Sequence, residues 1–397
     1  MKVLARLLIL MALCACASEP LPPEASHSVR DSAGVEIVES RSPVWDDLHR
    51  WRIGDRVLLE IGSVDGPPAT TFTAAFAARL SDGRILVADA GARELRYFTP
   101  NGEHLTTVGG EGPGPGEFTR LSSIHVLPAD TVLAFDNRSG RATIYTESGA
   151  LVGTVSIKPQ VTLVGPVQRQ RWAASAYLAS DNSTSPRMSE EELGIYTADG
   201  ELLVIVDTLT VFTYVERPTE RGMMGTVLPF GARRSVAADS GWLYFARGDR
   251  WEVLGYGPDG ILNRIIRRGW TPEPVAASDI DAAVEFARAS RRDQPAERRE
   301  SFVDLTKEAA VASENKPAIQ DLRVDGLGNL WVTHWRPMWE EGALQTFSVF
   351  GPDGVWLGDL TAPPGIKLTD IGDDYVLVTW TDETEIPYVR LFPLIKN

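Results

Sequence analysis

The side chains in this sequence that are best suited to ligand binding are tryptophans and cations at the ends of apolar, strand-like runs. Four of them occupy equivalent places after such runs, namely Arg247, His334, Trp335 and Trp380. Tryptophan faces bind sugars and other rings, and arginine with histidine can hold an anionic substituent. We therefore predict that these four residues contact a ligand. The alternative is that the tryptophans pack between structural units and the cations are solvated.

Sequence motifs for catalysis or metal binding are not found. The five histidines show no spacing typical of a metal site, and both cysteines lie near the N-terminus, so we expect no metal and no cofactor. The glycine-rich run 109–116 lacks the Gly-Lys-Ser/Thr ending of a phosphate-binding loop, and there is no Gly-x-Ser-x-Gly elbow. The sequence therefore favours a binding protein over an enzyme.

The elements that must position these residues are marked by a turn that occurs five times. Each copy has an aromatic residue, two spacers, a small polar residue and a glycine, at 98–102, 145–149, 196–200, 256–260 and 350–354. Asn-Gly and Asp-Gly pairs between apolar runs predict β-hairpins, because glycine adopts positive φ without steric cost. Recurrence of one unit at a spacing of tens of residues indicates a repeat architecture.

One complete unit reads as a four-stranded antiparallel meander. In the second unit, for example, strands are predicted at 124–127, 131–135, 141–145 and 150–155. Gly102 and Gly149, the glycines of the first two marked turns, lie 47 positions apart, which fits one blade of a β-propeller. A two-sheet sandwich is the alternative, but sandwiches do not repeat a four-strand unit in tandem.

These units resemble the NHL type of propeller repeat, in which an aspartate closes the second strand and an arginine opens the third. Asp89 with Arg93 and Asp136 with Arg141 carry the resemblance, and the stretch 109–118 resembles the joint between successive NHL blades. The resemblance implies that each Asp and Arg form an ion pair that clamps a blade turn. More specifically, the chain resembles bacterial lipoproteins described as six-bladed β-propellers, a family with no established activity.

The two ends of the chain each supply part of one blade. The run 57–62 parallels an outer strand, whereas 367–370, 375–380 and 388–391 supply three strands before the sequence stops. We expect these segments to pair in a velcro closure, in which the two ends complete one blade and leave no open edge.

Six blades account for the chain once one long insertion is set aside. Gly260 and Gly354 lie 94 positions apart, so a seventh blade is the alternative. Apolar residues at 280, 283, 284 and 287 are spaced for a helix with Ser278 as its N-cap, which favours a mainly helical insert over 271–318. The predicted fold class is all-β: a six-bladed propeller of four-stranded antiparallel blades with velcro closure and a helical insert between blades 4 and 5.

The N-terminus resembles a bacterial lipoprotein export signal. A basic start precedes the apolar run 7–13, which is too short to span a bilayer. Cys16 is the predicted acylated residue, because the bulky Leu13 precedes Cys14; an ordinary cleaved signal is the alternative. The predicted organisation is a signal peptide over 1–15, a flexible tether over 16–33 and a single propeller domain over 34–397.

The charge of the chain limits its partners. A net charge of −15 argues against nucleic acid and against electrostatic docking on anionic lipid, so we expect membrane attachment through the lipid anchor only. Ala17 after the predicted lipidation site favours the outer membrane of the cell envelope over the inner one. We expect a monomer whose partner is a protein, peptide or glycan.

Propeller geometry places the candidate residues on one face of the ring. The connections from the second to the third strand, and from the outer strand to the next inner strand, emerge on the same face. Arg247, His334, Trp335 and Trp380 follow second strands, so we expect them around one side of the channel mouth, with the insert as a partial lid. Loops on a rigid scaffold commonly carry function.

Two functions remain open from the sequence. The first is a non-enzymatic module that binds a ligand on this loop-rich face. The second is a propeller hydrolase, such as a lactonase, which would use Glu, Asn and Asp around a calcium ion in the channel. Inner-strand positions such as Arg79, His125, Arg323 and Lys367 hold more cations than carboxylates, which favours the binding module.

Overall fold

The computed structural model describes residues 26–157, 161–168, 171–180, 187–220, 222–239, 241–340, 342–382 and 386–396. The predicted signal peptide over 1–15, Cys16 and most of the predicted tether lie outside these residues. The first described strands are short and join the outer edges of later blades. They are β1 (His27–Ser32), β2 (Val35–Ser40), β3 (Arg52–Ile53) and β4 (Leu59–Ile61).

The remaining strands form six blades, each built on an antiparallel meander that runs from the inner to the outer strand. Blade 1 contains β5 (Ala75–Arg79), β6 (Ile85–Asp89), β7 (Glu94–Phe98) and β8 (His104–Gly109), and blade 2 contains β9 (Leu121–Leu127), β10 (Thr131–Asp136), β11 (Arg141–Tyr145) and β12 (Leu151–Ser156). Blade 3 contains β13 (Val161–Gln168), β14 (Arg171–Ser180), β15 (Arg187–Thr197), β16 (Leu202–Thr219) and a fifth strand, β17 (Gly222–Val227).

Blade 4 contains β18 (Ser235–Asp239), β19 (Trp242–Ala246), β20 (Glu252–Tyr256) and β21 (Leu262–Arg268), and blade 5 contains β22 (Ile319–Val324), β23 (Leu330–His334), β24 (Gln345–Phe350) and β25 (Trp356–Ala362). Blade 6 contains β26 (Ile366–Ile371), β27 (Tyr375–Thr381) and β28 (Pro387–Ile395). Short 3-10 turns lie at Pro68–Thr70 and Pro128–Asp130. The predicted six-bladed propeller is confirmed.

The core of the protein lies between neighbouring blades. The aromatic residues that open the five repeated turns, at positions 98, 145, 196, 256 and 350, are all buried there. Each glycine of these turns has a φ between 78° and 90°, as the hairpin requires. The repeated turn therefore both reverses the chain and supplies a packing residue.

The velcro closure is confirmed. Strand β4 pairs antiparallel with β28, so that Ile61 lies opposite Val389 and Leu59 lies opposite Leu391. Strand β3 pairs with the last residues of the same strand. The last blade is therefore completed by residues from the beginning of the chain.

A hairpin at the N-terminus extends blade 4. Strands β1 and β2 turn at Ala33 and Gly34, and β2 runs parallel to β21, with Glu36 opposite Arg264. The predicted tether over 16–33 is therefore wrong for His27–Ser32. Five of the six β1 residues are exposed, because an edge strand that covers nothing does not need the apolar alternation that would have indicated it.

The insert between blades 4 and 5 is a helix pair, α1 (Ala277–Ala289) and α2 (Ala296–Ala310), as predicted. Its first helix begins at Ala277, so Ser278 is not the N-cap. The Asp279 carboxylate instead accepts a hydrogen bond from the N–H of Ala276 at 2.9 Å. The second helix packs on β16 and β17, where Leu305 joins an apolar cluster with Val215. The insert therefore rests on the fifth strand of blade 3.

Candidate functional site

Arg247 lies in the turn after β19 and is exposed. The carbonyl of the next residue, Gly248, accepts hydrogen bonds from the N–H groups of Ala318 (2.7 Å) and Ile319 (3.2 Å). This turn is therefore held against the end of the insert and the beginning of blade 5.

His334 lies at the end of β23 and belongs to a network between blades 4 and 5. Its Nε2 donates to the Ser348 hydroxyl at 2.8 Å, and that hydroxyl donates to Asp359 at 2.6 Å. Arg268 donates to the same carboxylate at 3.0 Å, with its guanidinium between the rings of Trp251 (4.3 Å) and Trp356 (4.1 Å). Burial lowers the pKa of His334 to about 4, against the opposing attraction of Asp359.

This interblade network is not arranged as a catalytic triad. In a triad the aspartate orients the histidine through the ring nitrogen that faces away from the serine. Here Asp359 accepts directly from the Ser348 hydroxyl, and Ser348 is fully buried. We conclude that these groups join the two blades.

Trp335 and Trp380 both pack against other parts of the protein. The Trp335 ring lies 6.1 Å from that of Phe230, in a cluster with residues of both insert helices. The Trp380 ring lies 5.6 Å from that of Tyr388 and 3.8 Å below the Arg390 guanidinium, all within blade 6. The contacts described thus link the regions of Arg247, His334 and Trp335 but not that of Trp380. A ligand-binding role for these four residues stays a prediction.

A cavity of about 410 Å³ opens on the same loop-rich face between blades 2 and 3. We call it the rim pocket; its lining residues are Arg120, Asn137, Arg138, Val161 and Thr162. Arg120 ends the joint before β9, Asn137 and Arg138 follow β10, and the other two begin β13. The pocket is therefore built from the starts of the inner strands β9 and β13 and from the turn that follows β10.

Asp136, the last residue of β10, fixes the two arginine-bearing segments of this pocket. Its buried carboxylate accepts hydrogen bonds from the backbone N–H groups of Arg120 (3.1 Å) and Arg138 (3.0 Å). It also accepts from the N–H of Thr119 at 2.6 Å and that of Ser139 at 3.0 Å. Burial alone would raise the pKa of Asp136, but these donors outweigh burial and lower the pKa to about 2.

Blade 1 contains the same clamp without the pocket side chains. Asp89 accepts hydrogen bonds from the N–H groups of Thr73, Ala74, Gly91 and Ala92 at 3.1–3.3 Å. At the positions equivalent to Arg120, Asn137 and Arg138, blade 1 has Ala74, Ala90 and Gly91. The clamp does not require polar side chains at these positions, so the fold does not explain those in blade 2.

The rim pocket is locally cationic in an acidic protein. Both arginines are exposed, and within the part of the chain that the structure describes neither guanidinium has a carboxylate partner. The buried Oδ1 of Asn137 also lacks a hydrogen-bond partner among these residues. Unpaired guanidinium groups beside a polar cavity suit a carboxylate, phosphate or sulfate, each of which arginine can bind through two parallel hydrogen bonds.

The predicted ion pairs of the NHL-type repeat are wrong. Asp89 pairs with Arg96 at 3.3 Å, and Arg93 pairs with Glu111 at 2.6 Å. Arg141 donates to the carbonyls of Pro113 (2.6 Å) and Glu117 (2.5 Å). Arg93 and Arg141 therefore hold the glycine-rich joint, since they lie at the start of the third strand, whereas the aspartates turn toward backbone N–H groups.

Within the described ranges, no group of three or more His, Cys, Asp or Glu side chains could hold a metal ion. Neither of the two insert helices is long and apolar enough to cross a membrane.

A match to a protein family supports the fold. A family model described as a 6-bladed beta-propeller matches residues 77–142. No curated protein matches the sequence. A Bacteroides fragilis protein described as exported is similar in structure, with 12% identity, a TM-score of 0.47, and coverage of 90% of this chain and 99% of that chain.

Two further solved structures are similar. One is a Bacteroides vulgatus protein, with 9% identity, a TM-score of 0.46, and coverage of 88% of this chain and 99% of that one. The other is virginiamycin B lyase from Staphylococcus aureus, with 10% identity, a TM-score of 0.38, and coverage of 86% and 99%. On its own strand pairing and the family match, this chain is a six-bladed β-propeller.

Proposed function

We propose that this protein is a non-enzymatic binding module that captures an anionic group of a ligand in the rim pocket. The observation that carries the proposal is the pair Arg120 and Arg138, whose backbones are fixed by one buried carboxylate while their guanidinium groups have no described partner. A site on rigid elements loses less entropy on binding than a site on free loops. The blade 1 clamp supports the proposal, because it keeps its geometry with alanine and glycine at the same positions.

The ligand class follows from the chemistry of the pocket lining. Two guanidinium groups suit a carboxylate, phosphate or sulfate, Thr162 offers a hydroxyl, and Val161 gives one apolar wall. A volume of about 410 Å³ lies within the range of small-molecule sites. An acidic glycan unit or an acidic part of a protein or peptide meets these requirements.

We further propose that the module is exported and held at the cell envelope by a lipid on Cys16, with the outer membrane favoured. The support is the export-like N-terminus and the lipobox-like sequence that ends at Cys16. We expect the body to act as a monomer and to contact the membrane through this lipid only.

Calorimetric titration of the purified full-length protein tests the rim pocket. D-glucuronate is the probe, and D-glucose is its neutral counterpart with the same ring. We expect glucuronate to bind and glucose not to bind. Because a hydrogen bond to a charged group contributes about 1.5–3 kcal/mol, Arg120→Gln and Arg138→Gln should each weaken binding by roughly tenfold or more.

An exposed arginine outside the pocket provides the control. Arg298→Gln on α2 removes the same charge from the protein and should leave glucuronate binding unchanged. Inorganic phosphate and sulfate should compete with glucuronate. If none of the three anions binds, or if the two pocket variants bind like the wild type, the rim pocket is not the binding site.

A further inference from the structure

A second cavity lies under the helical insert, separate from the rim pocket. It has a volume of about 110 Å³ and lies between α1, α2, the end of β17 and the loop after β23. Its lining residues include Ala283, Phe286 and Ala287 of α1, Phe302 and Thr306 of α2, and Trp339. The insert thus does not close fully on the blade surface beneath it.

The walls of this insert cavity are less polar than their composition indicates. The hydroxyl of Thr306 donates to the Phe302 carbonyl at 2.9 Å, and that of Ser290 donates to the Ala287 carbonyl at 3.1 Å. The Thr226 hydroxyl points back to its neighbour's carbonyl at 3.4 Å. All three hydroxyls therefore bond to their own backbone, and a water molecule in the cavity would find few partners.

The shape of the cavity results from residue sizes on facing elements. Ala283 and Ala287 lie one turn apart on α1 and are buried, so this face of the helix leaves space. Two neighbouring aromatic rings also line the cavity: the ring centroids of Phe286 and Trp339 lie 6.1 Å apart, with an interplanar angle of 44°. Met338 at the edge is 54% exposed, and its flexible side chain can move aside.

We propose that the insert cavity binds a single unfused aromatic ring of a small molecule. An engineered dry cavity of about 150 Å³ in another protein binds benzene. The insert cavity is smaller, at about 110 Å³, but it is partly open where Met338 can move aside. The ring can meet Phe286 and Trp339 in the tilted or edge-to-face geometry that aromatic pairs prefer. The site would be a second, apolar ligand site on the loop-rich face, independent of the two arginines.

Fluorine NMR with fluorobenzene as the probe tests this proposal on the purified full-length protein. We expect the fluorobenzene signal to broaden with the wild type, whereas acetamide, a small polar probe, should not compete. Ala287→Leu fills the cavity from α1 and should weaken binding at least tenfold. Ala289→Leu, an exposed position on the same helix, is the matched control and should bind like the wild type.

A second variant keeps the test decisive if Ala287→Leu fails to fold. Thr306→Val removes a hydroxyl that bonds only its own helix, so it should bind fluorobenzene as well as the wild type or better. Loss of binding in Thr306→Val, competition by acetamide, equal binding by folded Ala287→Leu, or no binding by the wild type would each overturn the proposal.

Discussion

Asp136 is fully buried, and its described partners are uncharged N–H and O–H donors. Five such bonds make the charged form the stable one, although burial opposes it. Asp136 therefore both stabilises blade 2 and positions the rim pocket. Asp89 stabilises blade 1 in the same way, but blade 1 has no such pocket.

We expect Asp136→Asn to destabilise the protein by roughly 2–4 kcal/mol, because an amide cannot accept all the hydrogen bonds that the carboxylate accepts. The same variant should lose glucuronate binding. Asp89→Asn should destabilise at least as much, because it also loses the buried ion pair with Arg96, and it should retain binding, since blade 1 has no pocket. Urea unfolding and calorimetric titration of both variants measure this contrast; retained binding in Asp136→Asn would contradict it.

The depressed pKa of Asp136 predicts the direction of its pH dependence. Its stabilising effect is present above the ordinary aspartate pKa of 3.8 and is lost as the pH falls toward about 2. The difference in unfolding free energy between the wild type and Asp136→Asn should therefore shrink below pH 4.

The lowered pKa of His334 predicts a second loss of stability on acidification, and this loss begins at a higher pH than the one caused by Asp136. Burial lowers its pKa to about 4 from 6.5, so the unfolded chain takes up a proton before the folded protein does. Stability should fall by about 2–3 kcal/mol between pH 6.5 and pH 4.5 on account of this residue. Urea unfolding at pH 7.5 and 4.5 should show a smaller loss for His334→Gln; an equal loss would show that other groups are responsible.

At the scale of elements, the N-terminal strands are the main addition to the ring. Hairpin β1–β2 covers the outer strand of blade 4, and β3 and β4 complete blade 6. Between them, the N–H groups of Val44 and Trp45 donate to β25 of blade 5 at 3.1 and 2.7 Å. The first described residues thus cross the outer edges of three consecutive blades.

Two truncations should separate the closure from the added hairpin. A chain that starts at residue 42 loses only β1 and β2, so we expect a monomer with a moderately lower melting temperature. A chain that starts at residue 63 also loses β3 and β4 and leaves the edge of β28 unpaired, a state that favours pairing between chains. Light scattering and thermal unfolding compare the two; a monomeric 63–397 chain with the melting temperature of the 42–397 chain would show that β4 does not hold the ring.

The repeated turns made the blades predictable, because glycine at positive φ and a buried aromatic leave a strong mark in the sequence. The closure followed from the same pattern, since 57–62 copies an outer strand. Strand β1 could not be predicted in this way, because a polar edge strand looks like a linker. Arg96 was not predicted as the partner of Asp89, because Arg96 lies within the neighbouring strand β7 and not in the turn that follows Asp89.

The rim pocket could not be predicted without the hydrogen bonds of Asp136. Arg120 and Arg138 are 18 positions apart and share no motif, and only the Asp136 clamp brings their backbones together. Alignment of blade 2 on blade 1 would have shown Ala74 against Arg120 and Gly91 against Arg138. This difference between the blades is visible in the sequence, but only the structure shows that the two arginines line one pocket.

At the scale of the whole molecule, the proposed lipid attachment would decide where the proposed pocket meets its ligand. If Cys16 is acylated, labelled palmitate should enter the wild-type protein and not Cys16→Ser, and the variant should leave the membrane fraction. Equal labelling of both proteins would reject the anchor. Glucuronate binding should be the same in both, because the proposed pocket lies in the folded body.

Strand β1 starts at His27, and only ten residues lie between it and Cys16. Whatever its conformation, this stretch of chain can span at most about 40 Å. If Cys16 carries a lipid, the outer edge of blade 4 would stay within about this distance of the bilayer. Ligands on or near the membrane surface would then lie within reach of the rim pocket. Distant ligands would first have to diffuse to the membrane.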